Sequence, residues 1–316
     1  MDGSILYNDL ILMAKKLRQD TFNAFVEHGE AHLGGSFSMI EMLIALYEVV
    51  LKQDDKFILS KAHASFPLCL LLKGKGLEPK LTTHLEIDPE NGIHCTTGSL
   101  GHGLPIAVGM AMARKRLKIP GKIYVMMSDG ECQEGTTWES LLIGAKHRLD
   151  NLVVVVDYNK IQALTTLDEG LPLDNLPAKF KAFNWDCAEV NNGHSFEELL
   201  PVLQESNAEG KPRVIIVHTT KGKGIKSFSM STSALAVYGS DGAQTHDFGG
   251  LFDMYNDDSD TPVSLEFVPD EGDATFKFTG SGIITSLEGS FTNEEDGTSS
   301  LTIEGGAMTK VAIPES

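Results

Sequence analysis

Two uninterrupted apolar runs constrain the fold of this sequence more than any other feature. The segments KIYVMM (122–127) and NLVVVVD (151–157) are rich in apolar strand-forming residues and show no alternation of polar and apolar positions. Such runs are typical of parallel strands that are covered by helices on both faces. The segment RVIIVHTT (213–220) repeats the pattern. Between the first two runs, four apolar residues lie on one helical stripe: Trp138, Leu141, Leu142 and Ala145. The sequence therefore predicts an α/β fold with a doubly wound parallel sheet.

The character of the chain changes after about residue 229. Short segments rich in Val, Ile, Thr and Phe follow one another, separated by Gly, Asp, Asn and Pro, which is typical of a small all-β domain. Residues 231–316 hold 2 Lys or Arg and 16 Asp or Glu, so they carry −14 of the net charge of −18. We therefore predict two domains, 1–228 and 231–316, joined by the segment KSFSMSTSA.

Composition narrows the class of protein. A net charge of −18 argues against a nucleic-acid-binding protein, which normally carries a basic patch. The 4 cysteines form no C-x-x-C pair, so a reduced compartment is expected. The N-terminus lacks the basic segment of a signal peptide, and no apolar run reaches the ~18–20 residues that would span a bilayer. These features predict a cytoplasmic protein that does not enter membranes.

Asp129 stands where one predicted strand should end, and Asn159 stands where the next one ends. Open α/β sheets bind ligands at the carboxyl ends of their strands, and the helix that follows offers N–H groups to an anion. A carboxylate and an anion share one place favourably when a cation lies between them, and Mg²⁺ prefers oxygen ligands. One interpretation is a divalent metal that bridges Asp129 to a phosphate. The alternative is that Asp129 caps a helix and Asn159 closes a turn.

Five segments, taken in order, resemble the transketolases. They are AHLGGSFSMIEMLIALY, FILSKAHAS, TTGSLGHGLPIAVGMA, SDGECQEGTTWESLLIGAKHRLDNLVVVVDYNKIQ and HTTKGKGI. Within the fourth, Asn159 follows Asp129 by 30 residues, as in the thiamine-diphosphate motif G-D-G…N. The resemblance spans roughly residues 5–226 and covers the N-terminal, pyrophosphate-binding half of a full transketolase.

The resemblance implies a metal and a cofactor. Asp129 and Asn159 would ligate Mg²⁺ (or Ca²⁺ or Mn²⁺) through their side chains, and Ile161 would do so through its carbonyl oxygen. Gly130 would let the backbone approach the diphosphate of thiamine diphosphate.

The resemblance also implies roles around the rest of the cofactor. Gly98 and Leu100 match positions that line its pyrimidine and thiazolium. His32 and His63 match active-site histidines near the substrate oxygen and the diphosphate; both lie in loops, and an imidazole can donate to a phosphate or to a developing oxyanion. Glu134 matches a glutamate at the subunit contact that belongs to a carboxylate network linking active sites. A helix N-terminus would also favour a carboxylate there.

The sequence departs from the family pattern at several positions. Ser128 stands at the usual first glycine of the cofactor motif, and Ala62 stands where glycine is common. Asp88 aligns with a family histidine, while His84 and His94 lie nearby without matching in register. We therefore expect substrate recognition to differ from that of ordinary transketolases.

The pyrimidine-binding half of a transketolase has no counterpart in residues 231–316, which are too few. That half contributes the glutamate that activates the cofactor. The resemblance therefore implies a partner subunit with a pyrimidine domain, in a dimer or heterotetramer that moves a two-carbon ketol unit between sugar substrates.

The acidic tail loosely resembles the β-modules of bacteriophage tail-tube proteins, and a generic β accessory domain fits it equally well. This leaves an alternative hypothesis: a non-catalytic structural or interaction protein, such as a phage particle component, in which the transketolase-like part is a passenger or docking module.

Overall fold

The structure, a computed structural model, describes residues 7–28, 32–162, 166–232, 263–269, 277–282 and 308–311 of the chain. The helices in these residues are α1 (Tyr7–His28), α2 (Leu33–Phe37), α3 (Ile40–Ala45, followed by a π-helical turn at Leu46–Val50), α4 (Phe66–Gly74), α5 (Gly103–Leu117), α6 (Gly135–Lys146), α7 (Leu176–Ala182) and α8 (Phe196–Gln204). The strands are β1 (Lys56–Leu59), β2 (Ile123–Ser128), β3 (Leu152–Tyr158), β4 (Asp186–Val190), β5 (Arg213–His218), β6 (Ile225–Thr232), β7 (Val263–Pro269), β8 (Lys277–Gly282) and β9 (Met308–Val311).

The first five strands form one parallel sheet in the order β1-β2-β3-β5-β4. Every residue of β2 is buried, as are all residues of β3 except the last, because helices cover both faces of the sheet. The predicted doubly wound parallel sheet is confirmed. The carboxyl ends of β2 and β3 lie side by side, which places the segments that follow them at one edge.

Alternate residues of each central strand enter different cores. Tyr124 and Met126 pack on one face with residues of α1, α3, α4 and α8, whereas Val125 and Met127 pack on the other with residues of α5, α6 and α7. The predicted stripe on α6 is only partly right. Leu141 is fully buried, but the Leu142 side chain is 60% exposed, because it points away from the sheet.

Strands β6 to β9 form a second, antiparallel sheet in sequence order. β7 coincides with the predicted strand VSLEFV and β8 overlaps ATFKFTG, whereas β6 occupies most of the predicted linker. The predicted strands ALAVYG, GIITSLEGSF and SSLTIEGG lie wholly or almost wholly outside the described residues. The boundary between 1–228 and 231–316 stays a prediction. No helix in the described ranges is long and apolar enough to cross a membrane.

Candidate functional site

Asp129 lies at the carboxyl edge of the sheet and faces the segment that follows β3. Its backbone N–H donates to the carbonyl of Asp157 at 3.2 Å. Its carboxylate accepts from the N–H of Gly130 at 2.8 Å and from the N–H of Lys160 at 2.6 Å. The structure thus brings Asp129 to the backbone beside Asn159, as the spacing of the two residues predicts.

The surroundings of Asp129 disfavour an isolated negative charge. The residue is 2% exposed. Burial, and after it the neighbouring carboxylate of Asp157, raises the pKa of Asp129 to about 7. Asp129 also caps the 3₁₀ turn Gly130–Gln133. The part of the alternative interpretation in which Asp129 caps a helical turn is therefore correct. A buried carboxylate with a raised pKa is stabilised by a proton or by a cation.

The segment after β3 adds two further oxygen atoms of the kind that hard cations prefer, on Asn159 and Ile161. The side-chain nitrogen of Asn159 donates to Asp157 at 3.4 Å, and its oxygen accepts from the N–H of Ile161 at 3.1 Å. The Ile161 carbonyl accepts from the ammonium of Lys221 at 3.2 Å. Between them, Lys160 has a left-handed φ of 65°, which turns the chain sharply after β3. One carboxylate, one amide oxygen and one carbonyl fit Mg²⁺, which prefers oxygen ligands.

Asp157 ties this edge of the sheet together. Its fully buried carboxylate accepts from the hydroxyl of Ser38 at 2.6 Å, from the hydroxyl of Thr219 and from the ammonium of Lys61. Burial alone would raise the pKa of Asp157, but the Lys61 charge and these hydrogen bonds bring it below its ordinary value. Because its nitrogen donates to this ionised carboxylate, the Asn159 amide keeps its oxygen turned away from Asp157.

Two predicted histidines lie together. The ring centroids of His32 and His63 are 5.4 Å apart in an edge-to-face arrangement. Gly35 gives His63 its room, since a Cβ on that glycine would lie 3.2 Å from Nε2 of His63. Burial first, and then charge interactions with nearby groups, hold the pKa of His63 well below its ordinary value; these groups are Lys61, His32, Lys221 and His84. His63 is therefore a neutral imidazole at pH 7, with one N–H to donate.

The loop that contains Gly98 and Leu100 is anchored by a hydrogen bond to a buried carboxylate. Glu131 is fully buried, and its carboxylate accepts from the N–H of Gly101 at 3.1 Å. Leu100 is 37% exposed. A Cβ on Gly98 would lie 2.4 Å from the ring of His84, so a larger residue at this position would displace that exposed side chain.

Glu134 is exposed and stands at the N-cap of α6, where its side chain makes no capping hydrogen bond. It lies beside Gly101, which has a left-handed φ of 75°; a Cβ there would be 2.6 Å from the Cβ of Glu134. Glu134 thus lies at the rim where the loop before α5 meets α6.

Residues 11–245 match the family described as Transketolase, thiamine diphosphate binding domain. The chain belongs to this transketolase family. Over 243 residues it is 36% identical to the 6-deoxy-6-sulfo-D-fructose transketolase subunit SqwG of Clostridium sp., a match that covers 70% of this chain and 88% of that protein. Over 238 residues it is 34% identical to an apulose-4-phosphate transketolase subunit of Phocaeicola vulgatus, with coverages of 68% and 84%.

Solved transketolases share the fold. The transketolase of Leishmania mexicana matches with a TM-score of 0.64 and 25% identity, and that of Campylobacter jejuni with 0.62 and 28%. Each match covers 69% of this chain but only 37% and 38% of the solved chain. This transketolase-family chain thus spans little more than a third of the length of these solved transketolases, whereas it covers most of the length of the two relatives that are named as subunits. The resemblance in the sequence, the transferase class and the thiamine-diphosphate-binding fold are confirmed.

Several groups at this candidate site were not predicted from sequence. They are Lys61, Asp157, Glu131, Lys221 and His84. The signal for Glu131 lay in the cofactor motif itself, beside Asp129. Asp88, at the place of a family histidine, instead accepts from the side chain of Asn91 at 2.7 Å. His84, which does not match the family in register, is the imidazole that the structure places against Gly98.

Proposed function

We propose that this chain is the cofactor-binding subunit of a two-chain, thiamine-diphosphate-dependent transketolase. The observation that carries the proposal is the buried Asp129 at the carboxyl edge of the sheet, whose carboxylate contacts the N–H of Lys160, the residue between Asn159 and Ile161. Its support is the family membership and the relatives that are named as subunits. With its partner, the enzyme would transfer a two-carbon ketol unit between sugars.

In this proposal each residue has a role that its surroundings support. Asp129, Asn159 and the carbonyl of Ile161 hold a divalent metal, with Mg²⁺ preferred, and Gly130 gives the diphosphate access to the backbone. Neutral His63 donates a hydrogen bond to the diphosphate, while His32 faces the substrate oxygen. Gly98 and Leu100 line the cofactor rings, as the family resemblance implies. When bound, thiamine diphosphate supplies the electron sink for carbon–carbon bond cleavage.

The substrates that we propose are ketoses with an anionic group at the far end. The Clostridium and Phocaeicola relatives are named for a sulfonated and a phosphorylated sugar. The partner that we propose is a pyrimidine-domain subunit, which brings the activating glutamate and forms a dimer or heterotetramer with this chain. The cytoplasm is the predicted compartment.

Reconstitution tests the proposal. The full chain and the pyrimidine-domain subunit encoded nearest to it would be purified separately, then assayed alone and mixed, with Mg²⁺, thiamine diphosphate and a phosphorylated ketose donor. We expect ketol transfer only in the mixture. A mixture that forms a complex but binds no cofactor would contradict the proposal and favour the non-catalytic alternative.

The pKa of Asp129 predicts how metal binding depends on pH. Since the pKa is about 7 without metal, a proton competes with Mg²⁺ below that pH. The apparent affinity should fall about tenfold per pH unit below 7 and level off above it, and calorimetry in two buffers should show about one proton released at pH 6. The raised pKa of Asp129 also affects the stability of the metal-free fold. Protonated Asp129 contributes stability that is fully present below its ordinary pKa of 3.8, and this contribution is lost as the pH rises through about 7. An affinity that is constant from pH 5.5 to about 8 would contradict this assignment.

Exposed apolar residues on α5 and α6 mark the face for the partner. The two helices pack together. The side chains of Ile106, Leu142 and Ile143 are 43%, 60% and 45% exposed. Leu142→Glu should weaken association with the partner at least about tenfold, because a charge would be buried at the contact. Leu12→Glu is the matched control, as Leu12 is 63% exposed on α1, which packs on the opposite face of the sheet. Sedimentation and activity measured at equal concentrations would decide, and equal effects of the two variants would contradict the assignment.

A further inference from the structure

A histidine outside the predicted site, His194, connects helix α3 to the loop that follows β5. Nδ1 of His194 lies 3.0 Å from the carboxylate of Glu41 on α3, and Nε2 of His194 accepts from the N–H of Thr220 at 2.8 Å. The side chains of His194 and Glu41 are only 9% and 8% exposed. The other oxygen of Glu41 accepts from Arg18 on α1 at 2.7 Å.

These contacts fix the tautomer of His194. An imidazole nitrogen accepts a hydrogen bond only when it carries no proton, so Nε2 is unprotonated and Nδ1 carries the hydrogen. Nδ1–H therefore donates to Glu41. Burial would raise the pKa of Glu41, but the hydrogen bond from His194 and the charge of Arg18 lower it overall, which keeps Glu41 an ionised acceptor.

The loop held by His194 reaches one of the proposed metal ligands, Ile161. Next to Thr220, the ammonium of Lys221 donates to the carbonyls of Ile161 at 3.2 Å and Gln162 at 3.0 Å. On the other side of Thr220, the hydroxyl of Thr219 donates to Asp157. The N–H of Thr220 is thus one point at which a group from outside the site restrains this loop, and the N–H of Gly222, which donates to the carbonyl of Gly34 at 3.0 Å, is another.

We propose that His194 is a positioning residue for cofactor binding: through Thr220 it holds Lys221 against the segment that carries the proposed ligand Ile161. The proposal rests on the proposed function for its consequence, but the structural link from Glu41 to Thr220 stands apart from it. Removing the imidazole takes a hydrogen-bond donor from the buried carboxylate of Glu41 and an acceptor from the N–H of Thr220, which is exposed. The loss of the donor to the buried carboxylate corresponds to about a tenfold change in an equilibrium constant.

Two variants of the full chain separate hydrogen bonding from packing. His194→Phe keeps a ring but removes both nitrogens, whereas His194→Gln keeps one donor for Glu41 and one acceptor for Thr220. His147→Phe is the control, since His147 is exposed at the end of α6. Hydrogen exchange of residues 219–224 would be measured in the metal-free chain, and binding of thiamine diphosphate with Mg²⁺ by fluorescence titration.

We expect His194→Phe to speed exchange in residues 219–224 about tenfold and to weaken cofactor binding about tenfold, with exchange in β3 unchanged. His194→Gln and His147→Phe should behave like the unmodified chain. Unchanged exchange and binding in His194→Phe would overturn the proposal, and so would equal losses in the Phe and Gln variants. If the unmodified chain and its complex bind no cofactor, the proposed function fails, and the exchange contrast alone supports or overturns the link to Thr220.

Discussion

Replacing Asp129 with Ala should weaken magnesium-dependent binding of thiamine diphosphate by about 100-fold or more. Loss of a group that merely orients a metal ligand typically costs ~10–100-fold, and Asp129 is itself a proposed ligand. Asp129 is also the charged member of the three proposed metal ligands, since the other two are the amide oxygen of Asn159 and the carbonyl oxygen of Ile161. The measurement is a titration of cofactor and Mg²⁺ into the complex with the partner subunit.

The free energy of unfolding of Asp129→Ala must also be measured, to check that the variant folds. The substitution removes acceptors for two backbone N–H groups, but it also removes a buried carboxylate whose pKa is raised to about 7. At pH 8 these effects oppose each other, so we expect little change in the free energy of unfolding. Asp54→Ala, at an exposed carboxylate before β1, is the matched control. Binding by Asp129→Ala at the level of Asp54→Ala would contradict the metal site.

The parallel sheet and the edge that carries the site could be predicted because their signals are local. Continuous apolar runs mark β2 and β3 as strands covered on both faces, and Asp129 and Asn159 follow those runs directly. Once the strands are parallel neighbours, their carboxyl ends must meet. The spacing of Asp129 and Asn159 in the sequence is therefore enough to predict that they lie close together at this edge of the sheet.

The network beneath the site could not be predicted, because its contacts are not local. Asp157 ends an apolar run in the sequence, yet its partners are Ser38, Lys61 and Thr219, which lie far from it along the chain. Likewise, Leu142 fits the helical stripe on periodicity, and only the packing of α6 on the sheet shows that it points outward. The sequence predicts a linker where β6 lies, because serines are typical of flexible segments.

Removing the ammonium of Lys61 should destabilise the fold by about 3–5 kcal/mol, because it leaves the carboxylate of Asp157 charged and unpaired in the interior. The side chains of both residues are 0% exposed. Lys61 also donates to the carbonyl of Gly35 at 2.8 Å, which Lys61→Met would leave without that donor. Urea unfolding of the full chain measures the effect, and Lys61→Met combined with Asp157→Asn should recover part of the loss, since neither member of the pair is then charged.

The matched control is Lys16→Met, which removes an ion pair with Asp20 whose side chains are 74% and 39% exposed. Water screens that pair, so its loss should change the free energy of unfolding by less than about 1 kcal/mol. The contrast isolates burial, because each variant replaces a lysine that is paired with an aspartate. If Lys61→Met unfolds at the same urea concentration as Lys16→Met, Asp157 does not depend on Lys61 for its charge. The hydroxyls of Ser38 and Thr219 would then be sufficient to hold the carboxylate beneath the site.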